Sequence, residues 1–159
     1  MLSINPFAPA ITRASITIDA PADDVFAILS HVADWPSWQH NVSSVRVAGS
    51  VGLGTTFRWK SGGSRIVSTI ELFDPPHAIG WRGRTLGIRA VHVWRFTQRG
   101  SATRVETEES FEGWLASALA PLMRRNLRRS VDAAVVDLKR EAERRESEKM
   151  GEPGVARPA

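Results

Sequence analysis

The sequence contains no cysteine, which excludes disulfide bonds, thiolate nucleophiles and zinc sites built on sulfur. It also lacks an apolar run long enough to span a bilayer, so no integral membrane contact is expected. The opening residues, MLSINPFAPA, have neither the basic region nor the continuous apolar region of a secretory signal. Together these absences favour a cytoplasmic protein.

The composition is that of one globular domain of 159 residues, 42% of them hydrophobic and 24% charged. The formal net charge is +4, and most of the basic residues are arginines. Arginines such as Arg58 and Arg82 alternate with apolar residues in strand-like segments, which is the pattern of a solvated sheet face, so no nucleic-acid partner is expected. The arginine-rich stretch 124–129 is most simply a solvated helix face, and contact with an anionic lipid or an acidic partner stays open.

The periodicity of the chain changes twice. A strand is predicted over residues 11–19, and two short helices follow it, the first beginning near Pro21. Residues 45–111 alternate apolar and polar side chains between turn residues, which predicts an antiparallel meander. From about residue 115 to 147 the apolar residues have helical spacing, with a kink expected near Pro121.

This order of elements predicts an α+β fold, in which a curved antiparallel sheet of about six or seven strands surrounds a long C-terminal helix. We assign residues 1–10 to an N-terminal extension, residues 11–147 to a ligand-binding domain and residues 148–159 to a flexible tail. Only the long helix is large enough to cover the apolar face of the sheet. A cavity is therefore expected between the two.

The segment AVHVWRF raises the question of why an apolar strand has His92 at its centre, because a buried polar group needs a partner. A two-residue turn at Gly100-Ser101 pairs Arg99 with Ala102, and the same register places His92 opposite Glu109. We therefore predict that His92 and Glu109 form a polar pair inside the cavity. Such a pair either fixes the strand register, orients a ligand, or acts as general base and acid.

The side chains predicted to surround the cavity are mainly aromatic, which suits either a filled core or a flat-walled pocket for a planar or sterol-like ligand. The predicted ligand-binding residues are Phe57, Trp59, Ser68, Ile70, Trp81, His92, Trp94, Thr107, Glu109, Phe111, Met123 and Leu127. His92 and Glu109 are also the candidate catalytic residues. No metal site is expected, because His31, His40 and His77 lie in different segments without ligand spacing, and no cofactor motif is present.

A set of structural residues occurs in a characteristic order over about residues 11 to 146. They are Ile16 and Ile18 before Ala20-Pro21, then Val25-Phe26, Asp34, Trp38, Val42, Val45, Gly54, Phe57, Asp74-Pro75-Pro76, Trp94, Phe96, Gly100, Arg104-Val105 and Gly113. In this pattern the chain resembles the START / birch-pollen-allergen-like (SRPBCC) superfamily, specifically its bacterial polyketide cyclase/dehydrase-type branch. The resemblance implies a helix-grip fold with a hydrophobic cavity, and it does not by itself specify an activity.

We expect this chain to bind a small hydrophobic molecule that is aromatic, polyketide-like or lipid-like. One alternative is a cofactor-free polyketide cyclase or aromatase that uses His92 and Glu109 as general base and acid. A second alternative is a partner-binding protein without a ligand, whose contact surface is the arginine-rich helix. The sequence leaves the identity of the ligand open, and either a monomer or a homodimer is compatible with it.

Overall fold

A computed structural model describes residues 1–151, and its architecture is the predicted α+β helix-grip fold. The strands are β1 (Ala10–Ile18), β2 (Val42–Val47), β3 (Thr56–Ser61), β4 (Ser64–Asp74), β5 (Ala78–Thr85), β6 (Ile88–Arg99) and β7 (Ala102–Glu112). The helices are α1 (Ala22–Ser30), α2 (Trp35–Trp38), α3 (Trp114–Ala118) and α4 (Ala120–Gly151), with a 3₁₀ turn at Val32–Asp34. In space the antiparallel strands are ordered β1-β7-β6-β5-β4-β3-β2, so β2 to β7 form the predicted meander and β1 pairs with β7 at its edge.

The long C-terminal helix differs from its prediction at both ends. The helix predicted from about residue 115 is two helices, α3 and α4, because Pro121 has no amide hydrogen to donate to the carbonyl of Ser117. Helix α4 continues past residue 147 to Gly151, and Lys149 near its end pairs with Asp24 of α1 at 2.7 Å. The rest of the predicted tail, 152–159, lies outside the described residues. No helix within residues 1–151 is both long and apolar enough to cross a membrane.

The N-terminal residues cover part of the outer face of the sheet. Leu2 and Ile4 are buried there against Val91 and Val93 of β6. Strand alternation makes Val91 and Val93 point outward when His92 points inward. The first residues therefore shield two valines that would otherwise be exposed on a mostly polar surface.

Helix α4 packs against one side of the concave face. Its residues Leu127 and Val131 contact Ala10 of β1, and Ala14 and Phe111 pack against the same cluster. Alanine side chains on β1 let the helix approach closely at this edge. The concave face of the middle strands is left further from the helix, and the space between them forms a cavity.

Candidate functional site

The cavity between the sheet and α4 has a volume of about 480 Å³, which is in the range of small-molecule sites. Strands β3 to β7 form its floor, α4 forms its roof, and the chain around α2 closes one end. Small inward-facing residues keep it open, namely Gly83 and Ala90 on the sheet and Ser130 and Ala134 on the helix.

Most of the residues predicted to bind a ligand line this cavity. They are Trp59, Ser68, Trp81, His92, Trp94, Glu109, Phe111, Met123 and Leu127. The other three, Phe57, Ile70 and Thr107, share the same inward face but are buried outside the lining. Phe57 and Ile70 belong to the main hydrophobic core, while Thr107 lies beneath His92.

The predicted set of ligand-binding residues omits several residues of the cavity wall. Asn126, Ser130 and Ala134 of α4 line it, and so does Trp35, which the sequence places near the short helices that close one end of the cavity. A signal for three of them exists, because Asn126, Ser130 and Ala134 recur every four residues and therefore share one face of α4. Ser130 and Ala134 are half-buried and Asn126 is exposed, and small or polar residues on the sheet-facing side of a long helix indicate a space rather than a packed core.

A cluster of aromatic rings makes the wall near α2 rigid. The ring centroid of Trp35 lies 5.5 Å from that of Phe57, 5.2 Å from Trp59 and 5.3 Å from Trp81. Two of the three indole N–H groups are also held, because Trp35 donates to the carbonyl of Leu29 at 2.9 Å and Trp59 donates to the hydroxyl of Ser68 at 3.0 Å. The wall is preorganised, which reduces the entropy cost of binding a flat ligand against it.

His92 and Glu109 are opposite each other on β6 and β7, in the register predicted from the Gly100-Ser101 turn. The imidazole ring of His92 lies between Trp81 and Trp94, at centroid distances of 5.0 and 5.1 Å. Its Nδ1 atom is 3.4 Å from Oε2 of Glu109, which is longer than an ordinary hydrogen bond. The two groups are adjacent in the cavity wall without a tight bond between them.

Thr107 determines which nitrogen of His92 carries the proton. The hydroxyl of Thr107 donates its only hydrogen to the carbonyl of Val93 at 3.0 Å. The same oxygen is 2.9 Å from Nε2 of His92, so it accepts a hydrogen bond from an Nε2–H group. Neutral His92 therefore presents the lone pair of Nδ1 toward Glu109.

Burial favours the neutral form of both groups. Loss of solvation lowers the pKa of His92 from 6.5 to about 3, and it raises the pKa of Glu109 from 4.5 to about 8. Near pH 7 the wall therefore offers one acceptor, Nδ1 of His92, beside one donor, the carboxylic acid of Glu109. A ligand hydroxyl can satisfy both, because it donates one hydrogen bond and accepts another.

A buried carboxylate closes the cavity near α2. Asp137 of α4 is only 5% exposed at its side chain and accepts hydrogen bonds from the backbone N–H of His40 at 3.0 Å and from its Nδ1 at 2.8 Å. Arg140 adds a third contact at 3.2 Å. These bonds attach the middle of α4 to the loop before β2, beside the cavity residues Gln39 and Asn41.

The comparisons with known proteins agree with this architecture. The family described as "Polyketide cyclase / dehydrase and lipid transport" matches residues 9–143. A hypothetical protein of Helicobacter pylori has a similar structure, with a TM-score of 0.78, 17% identity, and coverage of 89% of this chain and 99% of that one. None of the curated proteins searched matches this sequence.

Two further solved structures have the same fold. The Zhui aromatase/cyclase of Streptomyces sp. R1128 has a TM-score of 0.74 and 20% identity, over 85% of this chain and 94% of that one. A START superfamily protein of Mycobacterium smegmatis has a TM-score of 0.74 and 11% identity, over 84% of this chain and 97% of that one. At these identities the likeness concerns the fold alone.

The pKa shifts of the pair predict a pH dependence of stability. The folded state binds the proton of Glu109 more tightly than the unfolded state, so its contribution to the free energy of unfolding falls as the pH rises from 4.5 to about 8. The lowered pKa of His92 has the opposite effect, from about 3 up to 6.5. The two cancel between 4.5 and 6.5, and stability then falls above pH 6.5 by up to about 1.4 kcal/mol per pH unit.

Denaturant unfolding of Glu109→Gln across pH 5 to 9 isolates this effect, because the amide copies the neutral acid and cannot ionise. The variant should lose the decline above pH 6.5 that we expect of the unmodified protein. Glu106→Gln, on the outer face of the same strand, is the matched control and should retain it. An equal decline in the Glu109→Gln and unmodified proteins would contradict the assignment.

Proposed function

The chain belongs to the polyketide cyclase/dehydrase and lipid-transport family, and on that premise we propose that it binds a small hydrophobic molecule in the cavity between the sheet and α4. The observation that carries the proposal is a cavity of about 480 Å³ in which four indoles, those of Trp35, Trp59, Trp81 and Trp94, line the wall beside the recessed pair of His92 and Glu109. Other lining residues are polar, among them Asn41, Ser61 and Asn126, and a wall that combines large apolar surfaces with polar groups that fix orientation is what small-molecule sites have. The ligand class is aromatic, polyketide-like or lipid-like.

The polar pair narrows the chemistry of the ligand to a molecule with a hydroxyl group. Nδ1 of His92 and the acid of Glu109 make no hydrogen bond with other groups among residues 1–151. A phenol, enol or alcohol donates to the first group and accepts from the second. The apolar part of the molecule then lies against Trp81 and Trp94, which hold the ring of His92 between them.

Native mass spectrometry, followed by solvent extraction, tests whether the cavity is occupied. We expect a co-purifying hydrophobic molecule in the unmodified protein and none in Ala134→Phe, because the phenyl ring would fill the space that Ala134 leaves open. Ala133→Phe is the matched control, since Ala133 is the next residue of the same helix and is outside the lining. Should the added mass remain in Ala134→Phe, the ligand is bound elsewhere and the proposal fails.

The hydroxyl requirement is tested with naphthalene, 1-naphthol and 1-methoxynaphthalene as probes. All three have the same ring system, but only 1-naphthol both donates and accepts a hydrogen bond. We expect calorimetry to show binding of 1-naphthol about tenfold tighter than that of the other two, since a net hydrogen bond contributes about 1 kcal/mol or slightly more. His92→Ala should remove this preference. Equal affinities of the unmodified protein for all three probes would contradict the proposed orientation.

A second candidate function is a cofactor-free cyclase or aromatase, and the neutral Glu109 favours it. A carboxylic acid with a raised pKa can protonate a developing alkoxide during an aldol-type ring closure. A structural neighbour is named as an aromatase/cyclase, which supports the same reading. His92 is a weak base in this environment, because burial lowers its pKa.

Incubation with a linear poly-β-ketone thioester distinguishes the two candidates. A cyclase releases a cyclised product, and Glu109→Gln reduces its turnover by about 100-fold or more while 1-naphthol still binds. A binding protein returns the linear compound unchanged. Turnover that survives in both Glu109→Gln and His92→Ala would exclude the pair from any catalytic role.

A further inference from the structure

Four large apolar side chains are exposed close together at the ends of elements. Leu86 is 79% exposed, Trp114 66%, Leu122 49% and Leu119 42%. We name these four residues the mouth patch. Leu86 lies in the turn between β5 and β6, and the other three lie in α3, at its end, and in the first turn of α4. Clustered exposed side chains of this size on a soluble domain indicate a contact surface.

Two short contacts hold the turn that contains Leu86 against α3, which contains Trp114. The backbone N–H of Leu115 donates to the carbonyl of Gly87 at 3.1 Å. The ring of Trp114 lies over Gly87 so closely that a Cβ at Gly87 would be 2.8 Å from its Cε2 atom. Glycine at this position thus lets Trp114 lie beside the Leu86 turn.

The mouth patch borders the cavity. Thr85 and Ile88, which flank the Leu86-Gly87 turn, both line the cavity, and so does Met123. The backbone N–H of Met123 donates to the carbonyl of Leu119, which places the two residues one helical turn apart. The exposed apolar side chains therefore lie beside the part of the cavity that Thr85, Ile88 and Met123 line.

The chain that runs from the mouth patch into α4 is positively charged, and the nearby Glu112, just before α3, is paired with Arg89 at 3.8 Å. No acidic residue occurs from 113 to 131, whereas Arg124, Arg125, Arg128 and Arg129 fall within this range. Of these four arginines, Arg128 alone has an acidic neighbour within residues 1–151, namely Asp132 at 3.9 Å. Further along α4 the charges compensate one another, as in the pairs of Lys139 with Glu143 and of Arg144 with Glu141.

We propose that the mouth patch and the arginines of stretch 124–129 dock the protein onto the surface of an anionic lipid bilayer. Tryptophan and leucine side chains enter the interface between headgroups and acyl chains, and guanidinium groups bind lipid phosphates. The apolar residues project from a turn and from helix ends and do not line a groove, so they suit insertion better than they suit a protein segment. Docking in this orientation faces the cavity toward the bilayer.

This surface is independent of the proposed ligand, since its exposure and charge do not depend on what occupies the cavity. An empty cavity would leave the docking proposal intact, and absence of docking would leave ligand binding intact.

Co-sedimentation of the full chain with vesicles tests the proposal. The probes are vesicles of phosphatidylcholine alone and vesicles with roughly a third phosphatidylglycerol, each at ~0.05 M and ~0.5 M NaCl. We expect binding to the anionic vesicles at low salt, and little binding to the neutral vesicles or at high salt. Arg125→Gln with Arg129→Gln should weaken partitioning by about 25-fold, because each basic residue near the surface contributes about fivefold.

Matched variants separate specific docking from general adhesion. Leu86→Ser and Trp114→Ala should each weaken partitioning by about fivefold or more. Leu53→Ser should not, because Leu53 is a similarly exposed leucine in the loop before β3, outside the mouth patch. Arg46→Gln with Arg58→Gln removes the same charge from the outer sheet face and should have a much smaller effect than the double variant in α4.

The proposal is overturned by equal binding to neutral and anionic vesicles, or by equal losses in the Leu86→Ser and Leu53→Ser variants. It is also overturned when a poly-glutamate peptide binds and neither vesicle does, because the surface is then a site for an acidic protein.

Discussion

Nδ1 of His92 and the carboxyl group of Glu109 are buried together 3.4 Å apart, and this incompletely satisfied contact constrains the rest of the cavity. A charge on His92 would be costly between two indoles, and burial favours the neutral form of both groups. Which nitrogen of neutral His92 carries the proton depends in turn on Thr107, whose hydroxyl donates to the carbonyl of Val93 and so accepts the Nε2–H of His92. One backbone carbonyl therefore leaves Nδ1 as the acceptor that faces Glu109.

The space in front of this pair exists because α4 is attached off-centre. Close packing of Leu127 and Val131 on the alanines of β1 holds the helix near that edge of the sheet. Asp137 holds it at the other side through the backbone and side chain of His40. Between these two attachments the helix presents small residues to strands that also have small residues, so neither layer fills the gap.

The parts of this arrangement that could be predicted are those set by local periodicity. Strand alternation and one glycine turn were sufficient to place His92 opposite Glu109, and the helical stripe was sufficient to identify Leu127 as a roof residue. The break between α3 and α4 was only partly predictable, because Pro121 indicates a disruption without fixing its position. The Thr107 and Asp137 contacts were not predictable, since they join residues 14 and 97 positions away in sequence through side-chain orientations that no periodic pattern encodes.

The protonation states of His92 and Glu109 bear on the choice between ligand binding and catalysis. An aldol-type ring closure needs a base that takes a proton from carbon, and His92 is a poor base because burial disfavours its cation. The Nε2–H of His92 is already hydrogen-bonded to Thr107, so only Nδ1 can accept a proton. The resulting imidazolium cation would lie between two indoles and beside Glu109, whose carboxyl group is itself largely neutral. Catalysis by this pair therefore requires Glu109 to ionise at the same time as His92 gains a proton. Hydrogen bonding to a ligand hydroxyl requires no charge at all, and for that reason the observed geometry is better suited to holding a molecule than to transforming it.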